Sequence, residues 1–367
     1  MSDRSADDFF LHTPQPKSLA TKRCSPQKPR RTAVQRMACV LAGLGTAMAA
    51  CSTGAVPGPT EATSVERCSM PASSRVDSNL PETVVPDWGD PQPLSSSVNT
   101  PCPEDAIEIS RDGRTLYFFF TTAPLAELKP DEIFSERNGT YLTTRLGGPG
   151  DFGQATRLDL GAGAQESLDG ELSFSPDGRT VYFHSLRSSN TGYQQTPPTD
   201  DFLDIYVADV SGGTVGPARN LGEPVNSPFP DGEHALHPDG MTLFFASSRP
   251  GGLGGNDLWM SILSEGGWSQ PLNLGEPVNS ASGEIQPAFT QDGATMYFTS
   301  DRDPEVGAAI YRSTRRGEVW STPELVIRGI VGEPSLTADG SLLYFVHVLT
   351  DSTGVFDADV WYSPRTP

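Results

Sequence analysis

Ser175-Pro-Asp-Gly-Arg-Thr-Val-Tyr-Phe183 is one of five copies of a single text, and its recurrence decides the fold. The others are Ser110-Arg-Asp-Gly-Arg-Thr-Leu-Tyr-Phe118, His237-Pro-Asp-Gly-Met-Thr-Leu-Phe-Phe245, Thr290-Gln-Asp-Gly-Ala-Thr-Met-Tyr-Phe298 and Thr337-Ala-Asp-Gly-Ser-Leu-Leu-Tyr-Phe345. From Asp112 through Asp177, Asp239, Asp292 and Asp339 the intervals are 65, 62, 53 and 47 residues. Repetition on that scale marks an array of one supersecondary unit. Asp-Gly between apolar runs signals a tight hairpin, and a type I′ turn, with positive φ at both central residues, is expected.

Working outward from the turn, the strand before it carries an apolar residue three positions ahead of the Asp: Ile109, Phe174, Leu236, Phe289 and Leu336. The strand after it is almost continuously apolar, as where both faces are covered. Tyr117, Tyr182, Phe244, Tyr297 and Tyr344 on it are expected in the core between units. A third strand follows at Asp204-Ile-Tyr-Val, Asp257-Leu-Trp-Met, Ala309-Ile-Tyr-Arg and Asp359-Val-Trp-Tyr, with Thr140-Tyr-Leu as the equivalent in the first copy. A fourth, more polar strand reads Gly216-Pro-Ala-Arg-Asn-Leu, Trp268-Ser-Gln-Pro-Leu-Asn-Leu and Trp320-Ser-Thr-Pro-Glu-Leu. Four antiparallel strands repeated about an axis describe an all-β, five-bladed β-propeller. A sixth blade would have to hide in the insertion at 122–139, which lacks an Asp-Gly hairpin.

The last copy ends after its third strand, while Trp88-Gly-Asp-Pro-Gln-Pro-Leu…Val98-Asn resembles the outer-strand text Trp268-Ser-Gln-Pro-Leu…Val278-Asn. Residues about 84–98 are therefore expected to close the last blade as an N-terminal strand, removing two sheet edges. The domain division is a leader at 1–51, a disordered tether rich in Ser, Thr, Pro and Ala at 52–80, and the propeller at 81–367.

Ser175-Pro-Asp-Gly-Arg-Thr-Val-Tyr-Phe, Ser248-Arg-Pro-Gly-Gly-Leu-Gly-Gly-Asn-Asp-Leu-Trp and Leu274-Gly-Glu-Pro-Val-Asn resemble the WD40-like repeats of TolB-type periplasmic propellers. The resemblance covers roughly 84–367. It departs in blade one, where Phe119 and Phe120 stand in place of the Ser-x-Arg that opens the following loop, and in blade five. It implies a propeller with an envelope role in binding or scaffolding, without a fixed chemistry.

Lys28, Arg30, Arg31 and Arg36 precede an apolar run that looks like an export signal peptide and ends in Met48-Ala-Ala-Cys51, which resembles a bacterial lipobox. Cys51 is expected to become the lipid-modified first residue, the alternative being plain signal-peptidase cleavage after Ala50. The apolar run is too short to be a retained membrane span. Ser52 after the cysteine favours the outer membrane, with the protein facing the periplasm or the cell surface. Cys68 and Cys102 remain as a disulfide candidate flanking the closing strand; the bridge would close a loop of about 35 residues and contribute roughly 3–4 kcal/mol. Lys and Arg number 26 against 46 Asp and Glu; removing the eight basic and three acidic residues of 1–51 leaves 18 against 43, a net charge of −25. That balance disfavours nucleic acid as a partner.

Acidic residues recur at fixed offsets. Eight positions before each hairpin Asp stand Glu104, Asp169, Asp231, Glu284 and Val331; six before stand Ala106, Glu171, Glu233, Gln286 and Glu333. They are expected to crowd one mouth of the central channel. Their repetition favours pairing with Arg187, Arg249 and Arg302 or capping of loops between blades; the functional alternative is a negative funnel for a cation, a cationic ligand or a basic segment of a partner. Calcium is compatible with such a mouth, since hard cations take carboxylate oxygens, but no EF-hand-type loop supports it. Asp204, Asp257 and Asp359 are expected to fix loops. The histidines are scattered, and a zinc site is not expected. Loops at 188–201, with Tyr193, and 121–137 are candidate ligand carriers. No nucleophile elbow, phosphate loop or His-Glu-x-x-His is present. The expectation is a monomeric, lipid-anchored, non-catalytic binding or scaffold module for an envelope protein or cell-wall component. The alternatives are a glycan hydrolase using two of the channel carboxylates, and a periplasmic sensor of a small ligand.

Overall fold

The computed structural model describes residues 76–122, 137–160, 167–187, 189–191, 203–352 and 354–367. These form a five-bladed β-propeller with no helix among them. The innermost strands are Glu104–Ile109, Leu168–Phe174, Asp231–Leu236, Glu284–Phe289 and Val331–Leu336. Each packs against the next, and Val331–Leu336 packs against Glu104–Ile109, so the ring is closed. The same joint is bonded at two levels: the Ile109 N–H donates to Ser335 Oγ at 3.0 Å, and the Ala338 N–H to the Arg111 carbonyl at 2.9 Å.

The hairpins form where expected, with a different turn. The Gly of each copy donates to the carbonyl of the residue three before it, as Gly178 does to Ser175 at 2.8 Å. Only the Gly is left-handed, at φ 65–73°; the Asp is not. The expected type I′ turn is therefore replaced by a type I-like turn followed by a left-handed Gly. The Asp is acceptor as well as corner: in four copies a hydroxyl two residues earlier donates to it at 2.6–2.7 Å, from Ser110, Ser175, Thr290 and Thr337. His237 takes that place in the third copy, where Nδ1 accepts the Asp239 N–H at 3.2 Å.

The outer strands are broken up. In blades two to four a long third strand pairs with a short hairpin arm at its far end and with a second short outer strand, as Asp257–Ser264 does with Gly267–Trp268 and Leu272–Asn273. Closure follows the sequence: Gln92–Pro93 pairs with Gly354–Pro364, and Trp88 bridges Arg365. A second N-terminal strand, Glu82–Thr83, adds to the outside of blade four along Glu324–Arg328, which the sequence reading did not anticipate. Contacts with the propeller begin still earlier, inside the stretch assigned to the tether. Asp77 Oδ2 lies 2.8 Å from His347 Nε2, and the Ser78 N–H donates to the Thr350 carbonyl at 2.8 Å.

The Val-Asn pair that linked the closing segment to the outer strands has a shared task. Asn226, Asn279 and Asn99 each turn a side-chain amide onto the backbone of a third strand, accepting from and donating to Ile205, Leu258 and Val360 at 2.9–3.0 Å. An amide with one donor and one acceptor mimics a strand partner and satisfies backbone groups at the sheet end. Apolar clusters lie between blades, as the alternation of strand faces requires. Phe244 of blade three packs with Met296, Phe298 and Trp320 of blade four, and Tyr344 of blade five with Ile109 and Leu116 of blade one.

Candidate functional site

The two acidic sets, expected together at one mouth, separate. The set eight residues before the turn is spent on loops. Asp231 accepts from the Ser227 N–H at 2.5 Å and from Arg249 Nη2 at 2.5 Å; Glu284 takes Ser280 and Arg302, and Asp169 takes Ser167, Ser185 and Arg187. Each arginine also sits on aromatic rings, Arg187 at 4.4 Å from the Tyr206 centroid and Arg302 at 5.1 Å from both Phe298 and Tyr311. Arg249 and Arg302 reach on to the carbonyls of Pro224 and Pro277, each at 3.3 Å. Such fully partnered carboxylates have little capacity left for a ligand.

Blade one lacks the arginine, and among the described residues Glu104 is held by Thr100, through its N–H at 3.1 Å and its hydroxyl at 2.7 Å. Burial pushes this carboxyl well above the usual range. In blade five Val331 supplies no carboxylate, and Asp77 from the N-terminal segment reaches His347 on the paired strand. Asp204 and Asp257 fix loops, accepting from the Thr191 N–H and the Leu253 N–H, both at 2.6 Å.

The set six residues before the turn faces the axis. Ala106, Glu171, Glu233, Gln286 and Glu333 are all left-handed, at φ 46–56°, and each falls where the pairing of its strand with the next shifts register. A bulge of this kind re-aims a side chain. All five are buried, and Glu171, Gln286 and Glu333 line a cavity of about 610 Å³ on the hairpin-turn side, with Glu108, His234 and Tyr117. Half of this ring is a bonded relay. Gln286 Nε2 donates to Glu333 Oε1 at 3.0 Å, Glu333 Oε2 accepts the Ile107 N–H at 3.1 Å, and Thr299 donates to Gln286 Oε1 at 2.7 Å.

The other half is under-satisfied. Glu171, His184 and Glu233 bring one ligand atom each to within 4.8 Å of one another. His184 Nδ1 lies 3.6 Å from Glu171 Oε2 and accepts the Glu233 N–H at 3.3 Å. Among the described residues no backbone N–H or hydroxyl donates to Glu171 Oε2, to either oxygen of Glu233 or to Asp105 Oδ2, so these buried carboxyls face chiefly one another. Among the described residues no Lys or Arg forms an ion pair with Asp105, Glu171, Glu233 or Glu333.

The electrostatics follow from burial. Glu233 is raised to about 7, the rise moderated by a proton shared with Glu171. Glu171 stands well above the carboxylate range, through burial first and the Glu233 charge second; for Glu333 the second cause is Asp105. Burial lowers His184 to about 3 and His234 to about 4, so both rings are neutral near pH 7.

His184, His234 and Asp105 were missed as members of this cluster. The sequence reading treated the histidines as scattered, since in a regular strand His234 and His237, three residues apart, would face opposite ways. The bulge carries His234 to the cavity, while His237 packs on Phe289 with centroids 5.0 Å apart. One signal was available: Gly170 and Gly232 precede the two glutamates, and a Cβ on either would lie 3.0–3.2 Å from a ring nitrogen of His184. Tyr193, Cys51, Cys68 and most of the loops at 121–137 and 188–201 lie outside the described residues. Cys102 is disulfide-bonded.

No family model and no curated protein matches the chain. Among solved structures it is similar to TolB from Acinetobacter baumannii, at 13% identity over 74% of this chain and 56% of that one, with a TM-score of 0.41. The chain thus spans little more than half the length of that TolB structure. It is also similar to an α-L-arabinofuranosidase from Lactobacillus brevis, at 11% identity over 74% of this chain and 92% of that one, with a TM-score of 0.43. A third is a puromycin-hydrolyzing peptidase from Mycobacterium tuberculosis, at 13% identity over 71% and 35%, with a TM-score of 0.37. Likenesses of this size assign neither activity nor partner.

Proposed function

We propose that the protein is an envelope module, lipid-anchored through Cys51, that binds another envelope protein or a cell-wall component and catalyses no reaction. One observation carries this reading: a cavity of about 610 Å³ opens on the channel, and among the described residues Glu171 and Glu333 on its wall form no ion pair with an arginine or lysine, Arg111 lying nearer Glu108. A one-sign cleft with apolar walls concentrates the field on whatever enters. The ligand is therefore cationic, such as a basic segment of a partner or an amino-bearing component of the wall. The rigid disc supplies shape, and the bulged glutamates supply sign. A disulfide between Cys68 and Cys102 would pin the closing segment in an oxidising compartment, and a non-reduced peptide map joining the two cysteines checks it.

The test is a pull-down from envelope fractions with the full lipidated chain, comparing wild type with Glu108→Gln and Glu333→Gln. Capture of a defined partner that weakens in these variants and with rising salt supports the reading. A glycan-hydrolysis screen is the counter-test. Turnover abolished by Glu171→Gln or Glu233→Gln would replace the binding module with the hydrolase alternative.

A further inference from the structure

We propose that Glu171, His184 and Glu233 form a binding site for one divalent first-row metal ion, of the Zn²⁺ or Mn²⁺ class, at the floor of the channel cavity. Three observations carry it.

The first is geometry. Two ligands about 2.1 Å from a common metal lie about 3.4 Å apart at a tetrahedral angle. The Glu171 Oε2 to His184 Nδ1 separation is 3.6 Å, and all three donor atoms fall within 4.8 Å of one another; ligation through Nδ1 would replace the long 3.3 Å bond it accepts from the Glu233 N–H. Small side-chain rotations close the remainder. The second is the state of the donors. Glu171 and Glu233 are buried against each other, and beyond that carboxyl–carboxyl contact no backbone N–H or hydroxyl among the described residues reaches either Glu233 oxygen or Glu171 Oε2. His234, equally buried, lines the same cavity with its ring 6.4 Å from that of His184. The third is the space kept for the imidazole. Gly170 and Gly232 stand where any side chain would meet His184, so the ring is clamped between two backbones that carry the two carboxylates.

Two carboxylates and one imidazole are a donor set for Zn²⁺, Mn²⁺, Co²⁺ or Fe²⁺, and a poor one for Ca²⁺, which takes six to eight oxygens. Glu171 borders the cavity, which gives the ion an entry path. A bound dication would also offset charge at Glu171 and Glu233, with which no arginine or lysine among the described residues forms an ion pair. The proposal is independent of the partner reading, since it concerns the isolated chain.

The experiment uses full-length, tag-free protein, stripped with chelator and dialysed against Zn²⁺, Mn²⁺, Co²⁺ or Ca²⁺ alone. One equivalent of a transition ion is expected, with Ca²⁺ bound far more weakly. Glu171→Gln and Glu233→Gln should lower affinity by more than about 100-fold while the exposed control Asp239→Asn does not. X-ray absorption on the wild-type Zn²⁺ adduct should show nitrogen and oxygen ligands with a single imidazole, and this readout stands even if a variant fails to fold. Stoichiometry below about 0.2 for every transition ion would overturn the proposal. So would a thiolate or multi-imidazole shell, or folded glutamine variants that bind as wild type does.

Discussion

The indole N–H of Trp88 donates to the hydroxyl of Tyr297 at 3.2 Å, and the two rings meet edge to face at 6.2 Å. The partners are 209 residues apart, and both are almost fully buried. This contact fastens the N-terminal segment to blade four before that segment goes on to close blade five. Arg365, near the other end of the chain, covers Trp88 from 5.3 Å.

Trp88→Ala should therefore cost about 3–5 kcal/mol in urea unfolding, through lost burial and an open cavity. Tyr297→Phe removes only the acceptor and should cost about 1–2 kcal/mol. If Trp88→Ala costs under about 1 kcal/mol, the closing segment does not hold the ring.

Arg249 and Asp231 form a buried pair at 2.5 Å, with the guanidinium also 5.0 Å from the Phe245 ring. Arg249→Met leaves a buried carboxylate unpaired and should cost about 3–5 kcal/mol. Adding Asp231→Asn should return part of that loss, because the stranded charge is gone. A double-mutant cycle by chemical denaturation reads the coupling; strict additivity would show that the two side chains act separately.

The channel carboxylates set a pH dependence whose sign can be worked out. Glu233 is raised in the folded state to about 7 from an unfolded value near 4.5, so the native protein holds the proton more tightly. Its contribution is complete below about 4.5 and is lost as pH rises through about 7. His184 acts oppositely: lowered to about 3, it stays neutral in the fold, and its contribution is lost as pH falls below about 6.5. The two slopes oppose each other between about 4.5 and 6.5, and only the glutamate acts above that range. Metal-free protein should therefore lose stability between pH 6.5 and 8, and Glu233→Gln should flatten that limb. Denaturation curves at the two pH values decide it, and an unchanged slope in the variant would remove Glu233 as the source.

Gly232→Ala should be destabilising by about 1–3 kcal/mol, since its new methyl would sit 3.2 Å from His184 Nδ1 and 3.4 Å from Leu203. Gly178→Ala has open space but a φ of 67°, so its smaller cost, about 1 kcal/mol, comes from the backbone. Thermal melts of the two variants, with a histidine ring NMR shift only in the first, separate crowding from strain.

Much of the architecture was legible from residues such as Asp177-Gly178 and Val181-Tyr-Phe183, because hairpins and buried strands are specified by neighbours in the chain. The closing role of Gln92–Pro93 was legible too, since its text copies that of other outer strands, down to the Asn that caps a third strand. The turn type was misjudged because Asp-Gly suits two turns, and the hydroxyl of Ser175 or Thr290, two residues earlier, favours the one observed. The candidate site was half legible. Glu171 and Glu233 stood out by repetition, whereas their partner His184 is 13 residues from one and 49 from the other.

By itself the sequence determined the number of wedges, the order of strands within each and the pairing of the two chain ends, all consequences of short-range pattern repeated at intervals. Only the tertiary structure decided which acids are consumed by arginines and which face the axis. That division rests on a left-handed residue in each inner strand, which turns one side chain inward by a register shift. The shift recurs at the same offset in all five inner strands, but which side chains it brings together depends on strands tens of residues apart in the chain.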